Sequence, residues 1–140
     1  MPVRTDAVHV VFTTPEETLA AVHVASEFAR ALHAPLTLVH FRAVPFPMSV
    51  DAPVGLSPTE CDAFVDRLRR EGVEIRVRVF LCRDAERVAP SGFRRHSFIV
   101  LGGRRRWWPT TAWRLRRQLE AAGHCVVFVD VPAQQEASCA

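Results

Sequence analysis

Residues 98–111 read Phe-Ile-Val-Leu-Gly-Gly-Arg-Arg-Arg-Trp-Trp-Pro-Thr-Thr, an apolar run followed by glycines, a basic loop and a pair of threonines. Phe98 to Leu101 is short and wholly apolar, as a strand covered on both faces of a parallel sheet must be. Gly102 and Gly103 let the backbone turn, and Thr110 or Thr111 offers a hydroxyl to cap the helix that follows. In that helix Ala112, Leu115, Leu119 and Ala122 fall on one face, and Gly123 ends it. A buried strand running through a glycine turn into a capped helix is half of a βαβ unit.

The same grammar recurs outward in both directions. Ala7 to Phe12 reads as a buried strand, and Thr14-Pro15-Glu16-Glu17 as a capping box that starts a helix. Ala21, Val24, Ala25, Phe28 and Leu32 recur at helical spacing and predict its buried stripe. Pro35 closes that segment before a second strand, Leu36 to Phe41. Residues 43–56, with Pro45, Pro47, Pro53 and Gly55, read as an irregular crossover placed to act as a lid. Ser57-Pro58-Thr59-Glu60 opens a second helix, with Cys61, Phe64, Val65 and Leu68 inward and Gly72 at its end. Val73, Ile75, Val77, Val79 and Leu81 alternate with Glu74, Arg76 and Arg78, which predicts an edge strand with one wet face. Asp84 to about Phe93 is a weak helical segment bent by Pro90, and Val126 to Val131 is the last strand.

Five strands alternating with four helices predict an α/β fold: a single doubly wound, five-stranded parallel sheet of order 3-2-1-4-5 with helices on both faces. The expected domain covers residues 1–131, with a flexible tail over 132–140. Such sheets bind ligands beyond the carboxyl ends of the strands, where the order reverses. Here that point lies between the first and fourth strands and brings Thr13 and Thr14 beside Gly102 and Gly103.

A length of 140 residues suits one domain, and 49% hydrophobic with 24% charged residues excludes disorder, collagen and coiled coil. No apolar run approaches a bilayer span, and Arg4 and Asp6 precede only a short apolar stretch; the expected location is the cytoplasm, with no membrane partner. Cys61, Cys82, Cys125 and Cys139 are too widely spaced for a zinc ribbon or a disulfide framework, and no spacing of residues calls for a metal. All eighteen basic residues are arginines. Nine of them lie in residues 87–119, which hold no acid, so positive potential is concentrated there and a specific anionic partner is expected.

The loop Gly102 to Thr111 reads as an anion site. Helix N-terminal amides carry partial positive charge, Arg104, Arg105 and Arg106 add phosphate donors, and Trp107 or Trp108 closes over the ligand. A solvated basic turn is the plainer reading, and packing or a dimer contact is the plainer one for the two tryptophans. Thr14 has its cap to make, whereas Thr13 is free to meet a ligand. Arg114, Arg116 and Arg117 with Arg94 and Arg95 extend the basic face, partly neutralised by Arg116 pairing with Glu120. Trp113 is expected under Arg117, and Cys125 in the core. His9, His23 and His40 read as structural, and no nucleophile, base and orienting group fall together, so no catalysis is expected. The last strand is an apolar edge that a second copy would cover, with Val127, Phe128 and Val129 at the seam.

The order of elements, and Val100-Leu101-Gly102-Gly103 before a basic loop, resemble the universal stress protein family over Ala7 to Val131. The resemblance implies a homodimeric stress-response domain, some of whose relatives bind ATP. It further implies an Asp ending the first strand and a Gly-x2-Gly-x9-Gly-Ser/Thr run after the fourth. Thr13 stands at the Asp position and Arg105 at the second glycine, and Thr110 and Thr111 stand for the hydroxyl end. The expected function is therefore a dimeric binding module for ATP, another nucleotide or a different phosphate-bearing small molecule. A ligand-free protein-interaction module and a nucleic-acid-binding surface are the alternatives.

Overall fold

A computed structural model describes residues 7–43, 60–83, 92–94, 96–104 and 110–131. Within them the elements run β1 (Val8–Val11), α1 (Pro15–Leu32), β2 (Leu36–Ala43), α2 (Glu60–Arg70), β3 (Arg76–Cys82), β4 (Phe98–Gly103), α3 (Thr111–Ala121) and β5 (Cys125–Asp130). The five strands form one sheet of order β3-β2-β1-β4-β5, and every neighbouring pair is parallel. The order expected from the sequence is the order observed. The expected crossover lid, the Ser57 cap, the helical segment from Asp84, the Arg-Trp loop from Arg105 to Pro109 and the tail lie outside the described residues.

Side chains alternate across each strand, so the sheet feeds two cores. On one face Val8, Val10, Leu36, Leu38 and Val100 pack under α1 and α2; on the other Val11, Val39, Ile99 and Leu101 pack under α3 and Phe93. Cys61, Phe64, Val65 and Leu68 of α2, and Ala112, Leu115 and Leu119 of α3, are buried as their spacing predicts. Fully burying one such leucine stabilises by roughly 1.5–3 kcal/mol.

Several details differ from expectation. The stripe that α1 buries is Thr18, Ala21, Val22, Ala25 and Ala29, whose small side chains let the helix lie close to the sheet. Phe28 and Leu32 fall on its flank and are 37% and 44% exposed, Phe28 covering the Phe98 ring at 5.1 Å. The strand expected from Val73 begins at Arg76, because the Val73 amide still donates to Leu68 O of α2 and Gly72 turns the chain at φ +88. Val79, expected inward, is 48% exposed on that edge strand, which has a neighbour on one side only. Cys125, expected in the core, opens edge strand β5 and is exposed, as is Ala122, which caps α3 instead of packing beneath it.

Candidate functional site: the crevice between β1 and β4

The sheet order reverses at β1, which pairs with β2 on one side and with β4 on the other. Helices α1 and α3 leave the carboxyl ends of β1 and β4 on opposite faces, so their N-termini flank the gap. Both starts are capped by threonine: Glu17 N donates to Thr14 Oγ1 at 3.2 Å, and Trp113 N to Thr110 Oγ1 at 3.2 Å. Either cap contributes on the order of 1 kcal/mol and satisfies one of the amides that a helix start leaves without an intrahelical partner.

Thr13 ties the two sides together. Its amide donates to the hydroxyl of fully buried Thr18 at 3.0 Å, and its own hydroxyl donates to Gly102 O at 3.4 Å. The last contact meets the expectation that Thr13 and Gly102 adjoin. Gly102 and Gly103 are the final residues of β4 rather than the turn itself. Their role is close packing on alternate faces: a Cβ on Gly102 would land on the carbonyl oxygen of Glu17, and one on Gly103 would sit 2.6 Å from Ala112 Cβ and 2.7 Å from the Phe128 ring. Two adjacent glycines thus let α1 and α3 close on the strand end from both sides.

What remains between the helices is a crevice of about 390 Å³ lined by Thr13, Thr14, Glu17, Arg104, Thr110, Thr111 and Ala112. It brings together Thr13, Arg104, Thr110 and Thr111 from the expected site. Arg105, Arg106 and Trp108, with Trp107, lie outside the described residues, so their placement is not part of this geometry. A larger depression of about 510 Å³, lined by Pro35, Arg69, Glu74 and Arg76 among others, opens at the amino end of the strands, away from the switch point.

The charge of Arg104 is not left unneutralised, as the acid-free run around it suggested. Its Nη2 donates to Glu16 Oε2 at 3.0 Å, joining the strand exit to the first turn of α1 across 88 residues. The Arg104 side chain is 22% exposed, and its Nε is buried with no hydrogen-bond acceptor among the described residues. Glu16 and Glu17 are the residues that sequence reasoning missed at this site. The signal was present: a sheet order that puts β1 beside β4 also puts the acidic first turn of α1 beside whatever follows β4.

Elsewhere on the basic face the expected partial neutralisation of Arg116 is observed. Arg116 pairs with Glu120 at 3.3 Å and lies over the rings of Trp113 and Phe128 at 5.0 and 5.3 Å. Arg116, not Arg117, is the cation on Trp113. Phe128 faces α3 in this cluster, while Val127 and Val129 pack toward the α1 face; all three are half-buried on β5. Among the described residues no group of three or more His, Cys, Asp or Glu is placed to hold a metal ion. Burial, then Asp62, pushes the Cys61 thiol up to about 11 against the opposing effect of Arg42, and Cys61 does not line the crevice. Burial also lowers the pKa of His9, helped by Arg78 and His124, and that of His40, helped by Arg42 against Asp62.

An open doubly wound parallel sheet with helices on both faces and a crevice at its switch point defines the class: a doubly wound α/β fold. Solved universal stress proteins share the architecture. One from Burkholderia pseudomallei superposes with a TM-score of 0.53 at 20% identity over 94% of this chain and 100% of that one. One from Archaeoglobus fulgidus gives 0.52 at 16% identity over 89% and 93%. At these identities the likeness establishes the fold. The sequence matches no family model and no curated protein. No described helix is long and apolar enough to cross a membrane.

Proposed function

We propose that this chain is a stress-response binding module of the universal stress protein type, not a catalyst, and that its crevice holds a phosphate-bearing small molecule, a nucleotide first among them. The observation that carries this reading is the convergence of two capped helix N-termini with a largely buried arginine on one crevice at the switch point. Amides and guanidinium are donors only, and the threonine hydroxyls supplement them, so the complementary ligand is an anion rich in acceptor oxygens. Arg104 holds the anion, Thr110 and Thr111 supply hydroxyl donors, Thr13 ties β1 to β4 by donating its own hydroxyl to Gly102 O, and the glycines fix the spacing. The fold shared with universal stress proteins supports the stress-response assignment and a homodimer through the open edge of β5, with Val127, Phe128 and Val129 near the seam.

Calorimetric titration with ATP, AMP and pyrophosphate at moderate salt, on the natural chain and on Arg104→Gln, tests the ligand. ATP bound in preference to pyrophosphate, and weakened by the substitution, supports a nucleotide site. Equal binding of both keeps only the phosphate part, and no binding by any of the three overturns the small-anion reading in favour of a protein partner. Sedimentation equilibrium tests the assembly, and a monomer at tens of micromolar sinks the dimer.

A further inference from the structure

Glu16 stands where the ligand's charge would stand. Its carboxylate takes one donor of the Arg104 fork, Nη2 at 3.0 Å, and leaves the adjacent buried Nε without an acceptor among the described residues. An arginine fork is matched best by an anion that accepts from both nitrogens at once. The carboxylate is also the looser partner: the Glu16 side chain is 61% exposed and free to swing into water, while Arg104 is 22% exposed and held against the crevice. One side of the pair is thus largely buried and incompletely satisfied, and the other is exposed and easily solvated.

Resting on the anion reading of this crevice, we propose that Glu16 is an internal competitor for the ligand. With no ligand bound its carboxylate occupies the anion position of Arg104, and a phosphate group enters by displacing it and accepting from both Nη2 and Nε. Glu16 thereby sets specificity by charge and shape. A phosphate group, with more negative charge and more acceptor oxygens than a carboxylate, spans the two donors and displaces Glu16; a monocarboxylate, of the same charge and donor preference as Glu16 itself, competes far less well. The pair also keeps the guanidinium charge compensated when the crevice is empty, at the cost of affinity when it fills.

The test is titration of pyrophosphate and of acetate into the natural chain, Glu16→Gln, Arg104→Gln and the double variant, with urea unfolding of each to establish that it folds. An exposed ion pair contributes at most about 1 kcal/mol, so Glu16→Gln should tighten pyrophosphate by roughly two- to fivefold. In the Arg104→Gln background the same change should do nothing, because the competition is for Arg104. Loss of all binding in Arg104→Gln, alongside tightening in Glu16→Gln, also supports the proposal. Pyrophosphate bound equally by the natural chain and Glu16→Gln overturns the competition while leaving the anion site standing. Tightening as large without Arg104 as with it reduces the effect to general repulsion and overturns it too. Acetate binding as well as pyrophosphate removes the specificity, and silence from every variant sinks both the competition and the site beneath it.

Discussion

Replacing Gly102 by alanine should cost this protein more than any other single methyl group added near the crevice. Gly102 is the penultimate residue of β4, and nothing in its backbone excludes alanine, since its φ lies outside the left-handed range. Fewer unfolded conformations would by themselves stabilise Gly102→Ala by about 0.4–1 kcal/mol. Against this, the new Cβ meets the Glu17 carbonyl oxygen, with Ala21 Cβ 3.3 Å away. A flexible side-chain tip would swing aside; a helix backbone cannot. The first turn of α1 must move off the sheet, loosening the Thr13 to Gly102 contact and the Thr14 cap. Overpacking of this kind costs about 1–3 kcal/mol, and contact with main chain belongs at the upper end. The net expectation is a loss of about 2 kcal/mol, or roughly 6–10 °C in Tm for a chain of this size. Urea unfolding of Gly102→Ala beside Gly103→Ala measures it, and the second change should be somewhat milder because the atoms it meets, Ala112 Cβ at 2.6 Å and the Phe128 ring at 2.7 Å, are side-chain carbons that stand farther off than the Glu17 main chain. If Gly102→Ala matches or exceeds the parent in stability, α1 does not sit on β4 as described and the crevice geometry goes with it.

Acidification should weaken the fold through His9 and His40. Both have folded pKa values below the ordinary 6.5, so the unfolded chain takes up protons first as pH falls. Stability is then fully present above 6.5 and declines below it, and a urea midpoint unchanged between pH 7.5 and 5.5 would count against the burial of both rings. Thr110→Ala should cost about 1 kcal/mol by unfolding the first turn of α3, and Thr110→Gly only a few tenths, both read from denaturant midpoints. Brief alkylation of the native protein at pH 7.5 should label exposed Cys125 and spare Cys61, which is buried with its thiol pushed up to about 11. Peptide mass spectrometry checks this, and equal labelling would mean that α2 does not cover the sheet.

The strand order was legible because the strands in this sequence are compact apolar runs, and three of the four expected helix starts carry a hydroxyl cap with proline nearby. Those signals are local, and right-handed crossovers then leave few arrangements. Helix faces were less legible where size and polarity disagreed. In α1 the eye goes to Phe28 and Leu32, yet the sheet takes Ala21, Ala25 and Ala29, because a helix pressed against Gly102 has no room for large side chains. Thr18 was invisible for the same reason, a polar residue buried because Thr13 needs its hydroxyl. Edge strands misled in the opposite sense, since Val79 and Cys125 are apolar residues left exposed by position alone.

The crevice was legible in place but not in charge, and the reason is geometric. A run of arginines with no acid between residues 87 and 119 looks uncompensated along the chain, but compensation acts through space. The glycine pair that draws α1 onto β4 also carries the acidic first turn of α1 to within 3.0 Å of Arg104. Acids at a helix N-terminus are favoured by the helix dipole whether or not a ligand exists, so Glu16 and Glu17 have a local reason to be where they are. At a switch point that local preference acquires a second consequence. The acids that stabilise one helix start compete with any anion for the donors gathered there, so affinity depends on how readily they yield. A crevice of this kind is tuned less by adding arginines, of which the chain has many, than by the reach of one glutamate.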